Sequence, residues 1–212
     1  MTRAPSVSAP DAVYCDDCLL VASKPAGLLA VPGRGEDKQD CFSARIQDNF
    51  ADALVVHRLD MATSGLMVFG RGAEMQAVLS RMFRERKVSK RYAALVAGRM
   101  AQDEGKIELP VICDWPNRPR QRVDHDVGKH SLTYYRALTY DEASDSTRLE
   151  LEPVTGRTHQ LRVHMAAIGH PIIGDALYGG RPASRLMLHA AFLSFPHPRA
   201  GGTLRLVSEP PF

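Results

Sequence analysis

LVVHRLDMATSGLMVFG, residues 54–70, places two apolar runs on either side of a charged stretch that closes on Thr63-Ser64-Gly65. Leu54–Leu59 and Leu66–Gly70 read as strands, because short runs rich in valine, leucine and phenylalanine and bounded by glycine suit a pleated, buried layer. His57, Arg58 and Asp60 therefore fall where a strand ends and the chain turns. Charge at such a point needs a reason, and Asp60 has two. It accepts backbone hydrogen bonds in the turn, or it is a carboxylate held rigidly at the floor of a cleft.

The same texture extends in both directions. Leu19–Ala22, Tyr92–Ala97, Ser131–Tyr140, Thr147–Glu152, Leu186–Phe195 and Thr203–Val207 read as further strands, with apolar Leu149 and Leu151 alternating with Arg148, Glu150 and Glu152. Helices are few. Residues 42–50 suit a short one, and over 73–86 Met75, Val78, Leu79, Met82 and Phe83 recur at helical spacing, forming a core stripe. TGRTHQLRVHMAAIGHP, residues 155–171, predicts a third, capped by Thr158, burying Leu161, Met165 and Ile168, and ended by Gly169 and Pro171. His159 and Arg162 share another flank of it. An arginine in the first turn opposes the helix dipole by about 0.3–1 kcal/mol, so Arg162 calls for a negative partner. Many strands with three helices and few regular crossovers predict an α+β chain on a mainly antiparallel or mixed sheet.

The chain has 212 residues, 44% of them hydrophobic, enough for one full core. Residues 13–212 are expected to form one domain, with 1–12 a disordered tail. No apolar stretch nears the roughly 20 residues of a membrane span, and MTRAPSVSAP has no apolar signal core. A cytoplasmic protein without a membrane partner is the expectation. Cys15, Cys18, Cys41 and Cys113 are read as reduced thiols. The CxxC at 15–18 has no second ligand pair nearby, so no metal is expected there and two small residues entering a strand are the preferred reading. A formal charge of +3 is mild, and any polyanion must be held by local clusters. Two exist: Arg81, Arg84, Arg86, Lys87, Lys90 and Arg91 against the single acid Glu85, and Arg118, Arg120 and Arg122 alternating in NRPRQR. Each is a solvated surface or a phosphate-binding one.

A nucleophilic Asp60 needs a cation, and Arg58 and Arg162 are the candidates; at about 4 Å and an effective dielectric of about 20 such a pair interacts by roughly 4 kcal/mol before desolvation. His57, His159 and His164 beside these residues are read as hydrogen-bonded structural histidines.

Taken in order, KPAGLLAVPGR (24–34), HRLDMATSGLMVFGR (57–71), KRYAALVAGR (90–99), GRTHQLRVHMAAIGHPIIGDALYGG (156–180) and RLMLHA (185–190) resemble the RluA family of RNA pseudouridine synthases. ICDWPNRPRQRV (112–123) is similar to its subgroup with dual specificity for 23S rRNA and tRNA anticodon stem-loops. The resemblance implies a pseudouridine synthase catalytic fold with a central RNA-binding cleft, no S4 domain, no metal and no cofactor; nothing in the sequence suggests a coiled coil or an exposed zipper, so a monomer is expected. It also implies roles. Asp60 is the catalytic carboxylate, Arg162 its cation, and Tyr92 lies against the uracil and serves as base at C5. Arg58 enters the space left by the extruded uridine, His57 and Thr63 accompany it, and Leu186 and Leu188 wall the pocket. Arg84, Lys87, Lys90 and Arg120 become phosphate contacts. Two rivals stand beside this: a non-catalytic RNA-binding protein on the same basic surfaces, and a glycosidic-bond hydrolase using Asp60 with Asp175.

Overall fold

The computed structural model describes residues 12–212, and the expected tail, 1–12, lies outside them apart from Ala12. The chain forms two compact units, one running to Ser89 and resuming over Ala190–Pro211, the other comprising Lys90–His189 with Phe212.

In the first unit the strands are β1 (Ala12–Cys15), β2 (Leu19–Lys24), β3 (Ala53–Val55), β4 (Ser64–Arg71), β11 (Leu188–Pro196), which carries the chain in from the second unit, and β12 (Thr203–Val207). They are ordered β1-β2-β4-β11, with β3 on β4 and β12 on β11. β2 runs antiparallel to β4, Leu19 opposite Gly70 and Lys24 opposite Gly65. β4 is buried from Ser64 to Gly70 because helix α2 (Gly72–Arg84) lies over it, and its unbroken LMVF run suits burial on both faces. The predicted stripe of α2 is the buried one: Met75 and Leu79 join Leu19, Val21, Leu66, Val68, Leu193 and Phe195 in one core, with Val78, Met82 and Phe83 packed against it. The short helix α1 (Phe42–Gln47) stops three residues before the predicted end.

The second unit carries β5 (Ser89–Ala97), β10 (Ser146–Pro153), β9 (Leu132–Asp141) and β6 (Glu104–Glu108), adjacent in that order. β10 lies antiparallel between β5 and β9, Leu151 opposite both Tyr92 and Tyr135. A separate hairpin pairs β7 (Val111–Cys113) with β8 (Gln121–Val123). Helix α3 (Gln160–Ala167) contacts β8 and β10. The α+β expectation, a mainly antiparallel or mixed sheet with few helices, is met. Among the described residues, no helix is long and apolar enough to cross a membrane.

Three local expectations are corrected. The strand predicted over Leu54–Leu59 ends at Val55, because His57 turns inward: its Nε2 accepts the Val68 backbone N–H at 3.0 Å and its ring stacks on Phe83 at 4.3 Å. Thr158 does not cap α3. The N-cap is His159, left-handed at φ 54°, and no side chain caps it; instead the Gln160 Oε1 accepts the Arg157 N–H and the Thr155 hydroxyl. Nor does α3 bury one stripe: Gln160 through Met165 are all buried, as a helix enclosed by its unit must be.

Candidate active site

Asp60 stands on the connection between β3 and β4. Its carbonyl accepts the Thr63 N–H at 3.1 Å, closing a turn, and the next carbonyl, of Met61, accepts the Gly27 N–H at 2.9 Å. A third tie comes from Lys24, a fully buried lysine at the end of β2. Its ammonium donates to the carbonyls of Pro25 (2.7 Å), Leu28 (2.7 Å) and Met61 (3.0 Å). A buried ammonium is costly unless hydrogen-bonded, and these acceptors lock the Lys24–Leu28 turn to the backbone beside Asp60. Sequence reasoning missed this role, although a lone lysine closing the apolar run LLVASK was its signal. Gly65 completes the frame: at φ +112° its α-carbon faces the Ala190 backbone so closely that any side chain would collide with it. Asp60 is thus half-buried on rigid scaffold, with Thr63 buried and Arg58 exposed beside it.

In the second unit, Arg162 on α3 makes a two-pronged pair with Asp175, Nε to Oδ2 at 2.7 Å and Nη2 to Oδ1 at 2.8 Å, with Arg162 5% and Asp175 1% exposed. Asp175 also accepts the Leu177 and Tyr178 N–H groups. The turn that sequence assigned to Asp175 is real, and the same residue is also a negative partner of Arg162. Both its oxygens are engaged and it is sealed from water, unlike the second carboxylate of a hydrolase. Tyr178 is the other residue missed. The Arg162 guanidinium lies 5.1 Å from its ring centroid, its hydroxyl shares a 2.7 Å hydrogen bond with His159 Nδ1, and it accepts the Gln121 N–H of β8 at 2.8 Å. His159 and Arg162 do share a flank, and Tyr178 is what they share. His164 is structural: Nε2 donates to the Leu109 carbonyl, so Nδ1 accepts from the Thr133 hydroxyl. Burial holds its pKa below the ordinary value, against the upward pull of that carbonyl.

Of the remaining expected site residues, Tyr92 lies half-buried on β5, and Leu186 and Leu188 are each 3% exposed. Arg84, Lys87 and Arg120 are exposed and Lys90 is half-buried. Lys87 pairs with Glu85 at 2.8 Å. Thus His57, Arg58, Asp60, Thr63, Arg84 and Lys87 belong to the first unit, and Lys90, Tyr92, Arg120, Arg162, Leu186 and Leu188 to the second.

The CxxC spans the β1–β2 turn, where Asp16, Cys18 and His197 bring potential metal donors together. Asp16 is already saturated. Its Oδ2 accepts from the Tyr14 hydroxyl (2.6 Å) and His197 Nε2 (2.7 Å), and its Oδ1 from the Cys18 and Leu19 N–H groups. His197 Nδ1 accepts two backbone N–H groups, of Arg199 and Ala200. Burial raises the Asp16 pKa, but these hydrogen bonds outweigh it and hold the carboxyl well below the usual range, while Asp16 as acceptor pushes Tyr14 up to about 12. The cluster suits an anchor between two turns.

A family model described as RNA pseudouridylate synthase matches residues 18–167. The chain is 48% identical over 204 residues to the dual-specificity RNA pseudouridine synthase RluA of Yersinia pestis, a match covering 94% of this chain and 98% of that protein. It is 47% identical over 196 residues to the RluA of Escherichia coli strain K12, covering 91% and 89%. Among solved structures, human RNA pseudouridylate synthase domain containing 1 superposes with a TM-score of 0.80 at 30% identity, covering 95% of this chain and 84% of that one.

Proposed function

The chain belongs to the RNA pseudouridylate synthase family, and from that membership we propose that it isomerises loop uridines of 23S rRNA and of a tRNA anticodon stem-loop to pseudouridine. Uracil is detached from C1′, turned and rejoined through C5; the C5 hydrogen leaves as a proton and N1 ends protonated, so atoms balance without an oxidant, a reductant or an energy source. Asp60 supplies the carboxylate, attacking C1′ or C6 or taking a ribose proton. Arg162 keeps it ionised, and Tyr92 takes the proton from C5. The target nucleotide must leave its stack, at a few kcal/mol, least in a loop, and Arg58 fills its place. Leu186 and Leu188 wall the pyrimidine. Arg84, Lys87, Lys90 and Arg120 contact phosphates, so that shape and unpaired bases select the RNA.

What carries this reading is the tethering of Asp60: a turn closed by Thr63 and pinned through Met61 by both Gly27 and Lys24 is the rigidity a nucleophile at a fixed point requires. A cytoplasmic monomer is proposed with it. The test incubates the protein with 23S rRNA domain transcripts and tRNAs tritiated at uracil C5, then follows tritium release and maps the product. Release from one uridine in each RNA class is expected; release from neither, under conditions where both bind, overturns the proposal.

A further inference from the structure

The β7–β8 hairpin ends in the only tryptophan of the chain. Trp115 opens a short 3-10 turn, Trp115–Asn117, and is 65% exposed. A single exposed apolar side chain is ordinary, but this one is not loose. The Arg118 guanidinium lies 4.3 Å from its ring centroid while Arg118 Nε donates to the Trp115 carbonyl at 3.1 Å. The turn is braced by Asp114 N–H to the Arg120 carbonyl, Arg120 N–H to the Asn117 carbonyl, and the Asn117 amide to Asp114 Oδ2. At its base, Gln121 is pinned to Tyr178, the residue over which Arg162 lies.

We propose that Trp115 and Arg118 form a stacking platform for an unpaired nucleobase of the RNA substrate, with Arg120 holding the adjoining phosphate. This rests on the reading of the protein as an RNA-modifying enzyme and adds a subsite to it. An indole and a guanidinium are both flat, polarisable surfaces on which bases stack, and either accepts any base. Holding the two together beforehand removes the ordering cost that a flexible arginine would otherwise incur on binding. The charge fits a polyanion: Arg118, Arg120 and Arg122 are exposed on the hairpin, of which Arg122 is paired with Asp124 at 2.7 Å. Asp114 is turned to Asn117. A fully paired duplex offers no such base, so the platform selects loops.

Because Trp115 is the sole tryptophan, its emission reports the platform alone. The protein is titrated with an anticodon stem-loop transcript and with a blunt, fully paired RNA of equal length at the same salt, binding being followed separately by filter retention. The stem-loop is expected to quench the emission saturably and the duplex to leave it unchanged. In steady-state tritium release, Trp115→Ala is expected to raise KM for the stem-loop on the order of tenfold, from the loss of one stacked base, with kcat retained; Trp115→Phe keeps a ring and restores most of it. An emission that does not change while the stem-loop binds, equal quenching by the duplex, or an unchanged KM in Trp115→Ala each overturns the platform. Quenching by the stem-loop without tritium release from the unaltered protein would sustain the platform while defeating the assigned reaction.

Discussion

Arg162 and Asp175 form a buried, two-pronged ion pair at 2.7 and 2.8 Å. The guanidinium on α3 is thereby fixed in orientation by the turn that follows Pro171. Asp175→Ala removes two charge-assisted hydrogen bonds from a buried arginine, a change that costs about 3–5 kcal/mol where one partner of an interior pair is deleted. The urea midpoint should fall accordingly, and turnover should drop more than RNA affinity does, because Arg162 loses its orientation. A variant with the parent's midpoint would show that the pair holds nothing in place.

Lys24→Met should leave the strands intact but deprive three carbonyls of their common donor, at about 1–3 kcal/mol for groups left unsatisfied. The Met61 carbonyl keeps the Gly27 N–H but loses this second tie, so the backbone beside Asp60 relaxes. A displacement of about 1 Å at a reacting group costs on the order of a hundredfold in rate. Single-turnover tritium release should slow by that order while filter binding of RNA stays within a fewfold of the parent.

Arg86 ends α2 in a left-handed conformation, φ 59°, with the Arg86 N–H to the Phe83 carbonyl and the Lys87 N–H to the Met82 carbonyl at 2.9 Å. That is a Schellman ending, where glycine is the usual residue. Arg86→Gly should therefore stabilise the fold by roughly 1 kcal/mol through relief of side-chain strain. If Arg86 contacts a phosphate, the same change weakens RNA binding and lowers the salt slope by about 0.7. Denaturation and affinity at several salt concentrations measure the two effects separately.

Stability should fall on both sides of neutrality. His164 is held neutral by burial, with its folded pKa below the ordinary 6.5, so as pH drops through about 6.5 the unfolded chain binds a proton that the folded one refuses and stability declines. Asp16, also depressed, adds to the loss once pH falls below its ordinary 3.8. Tyr14 has the opposite sign: raised from 10.0 to about 12, it keeps its proton in the fold while the unfolded phenol loses it, so stability declines as pH rises above 10. Urea midpoints near about pH 5, 7.5 and 11 should peak at the middle value, and Tyr14→Phe should flatten the alkaline limb.

How far these features could be read beforehand follows from their physics. Long apolar strands and the stripe of α2 announce themselves because their periodicity reports the face they bury. β7 and β8 are three residues each, and β6 is EGKIE, mostly polar; pairing defines them and no local pattern does. The strand expected over Leu54–Leu59 is shorter in the fold, because apolar content cannot show His57 leaving the strand to bond Val68. The family motifs pointed to Asp60, Tyr92 and Arg162, but the residues that fix Asp60 and Arg162 were hidden. Lys24 acts through two carbonyls of its own turn and the distant Met61 carbonyl, and Asp175 and Tyr178 through contacts with α3 and β8, pairings that no sequence pattern marks.

In the proposed reaction one carboxylate, Asp60, performs the isomerisation. Asp60→Asn keeps the side chain's shape and removes its charge, leaving no nucleophile or base at that point. The decisive measurement is tritium release from C5-labelled anticodon stem-loop by the parent and by Asp60→Asn, with RNA binding measured in parallel. Release by the parent, with background release and near-parental binding in the variant, is the predicted result; a variant that releases tritium at the parent's rate would contradict the account.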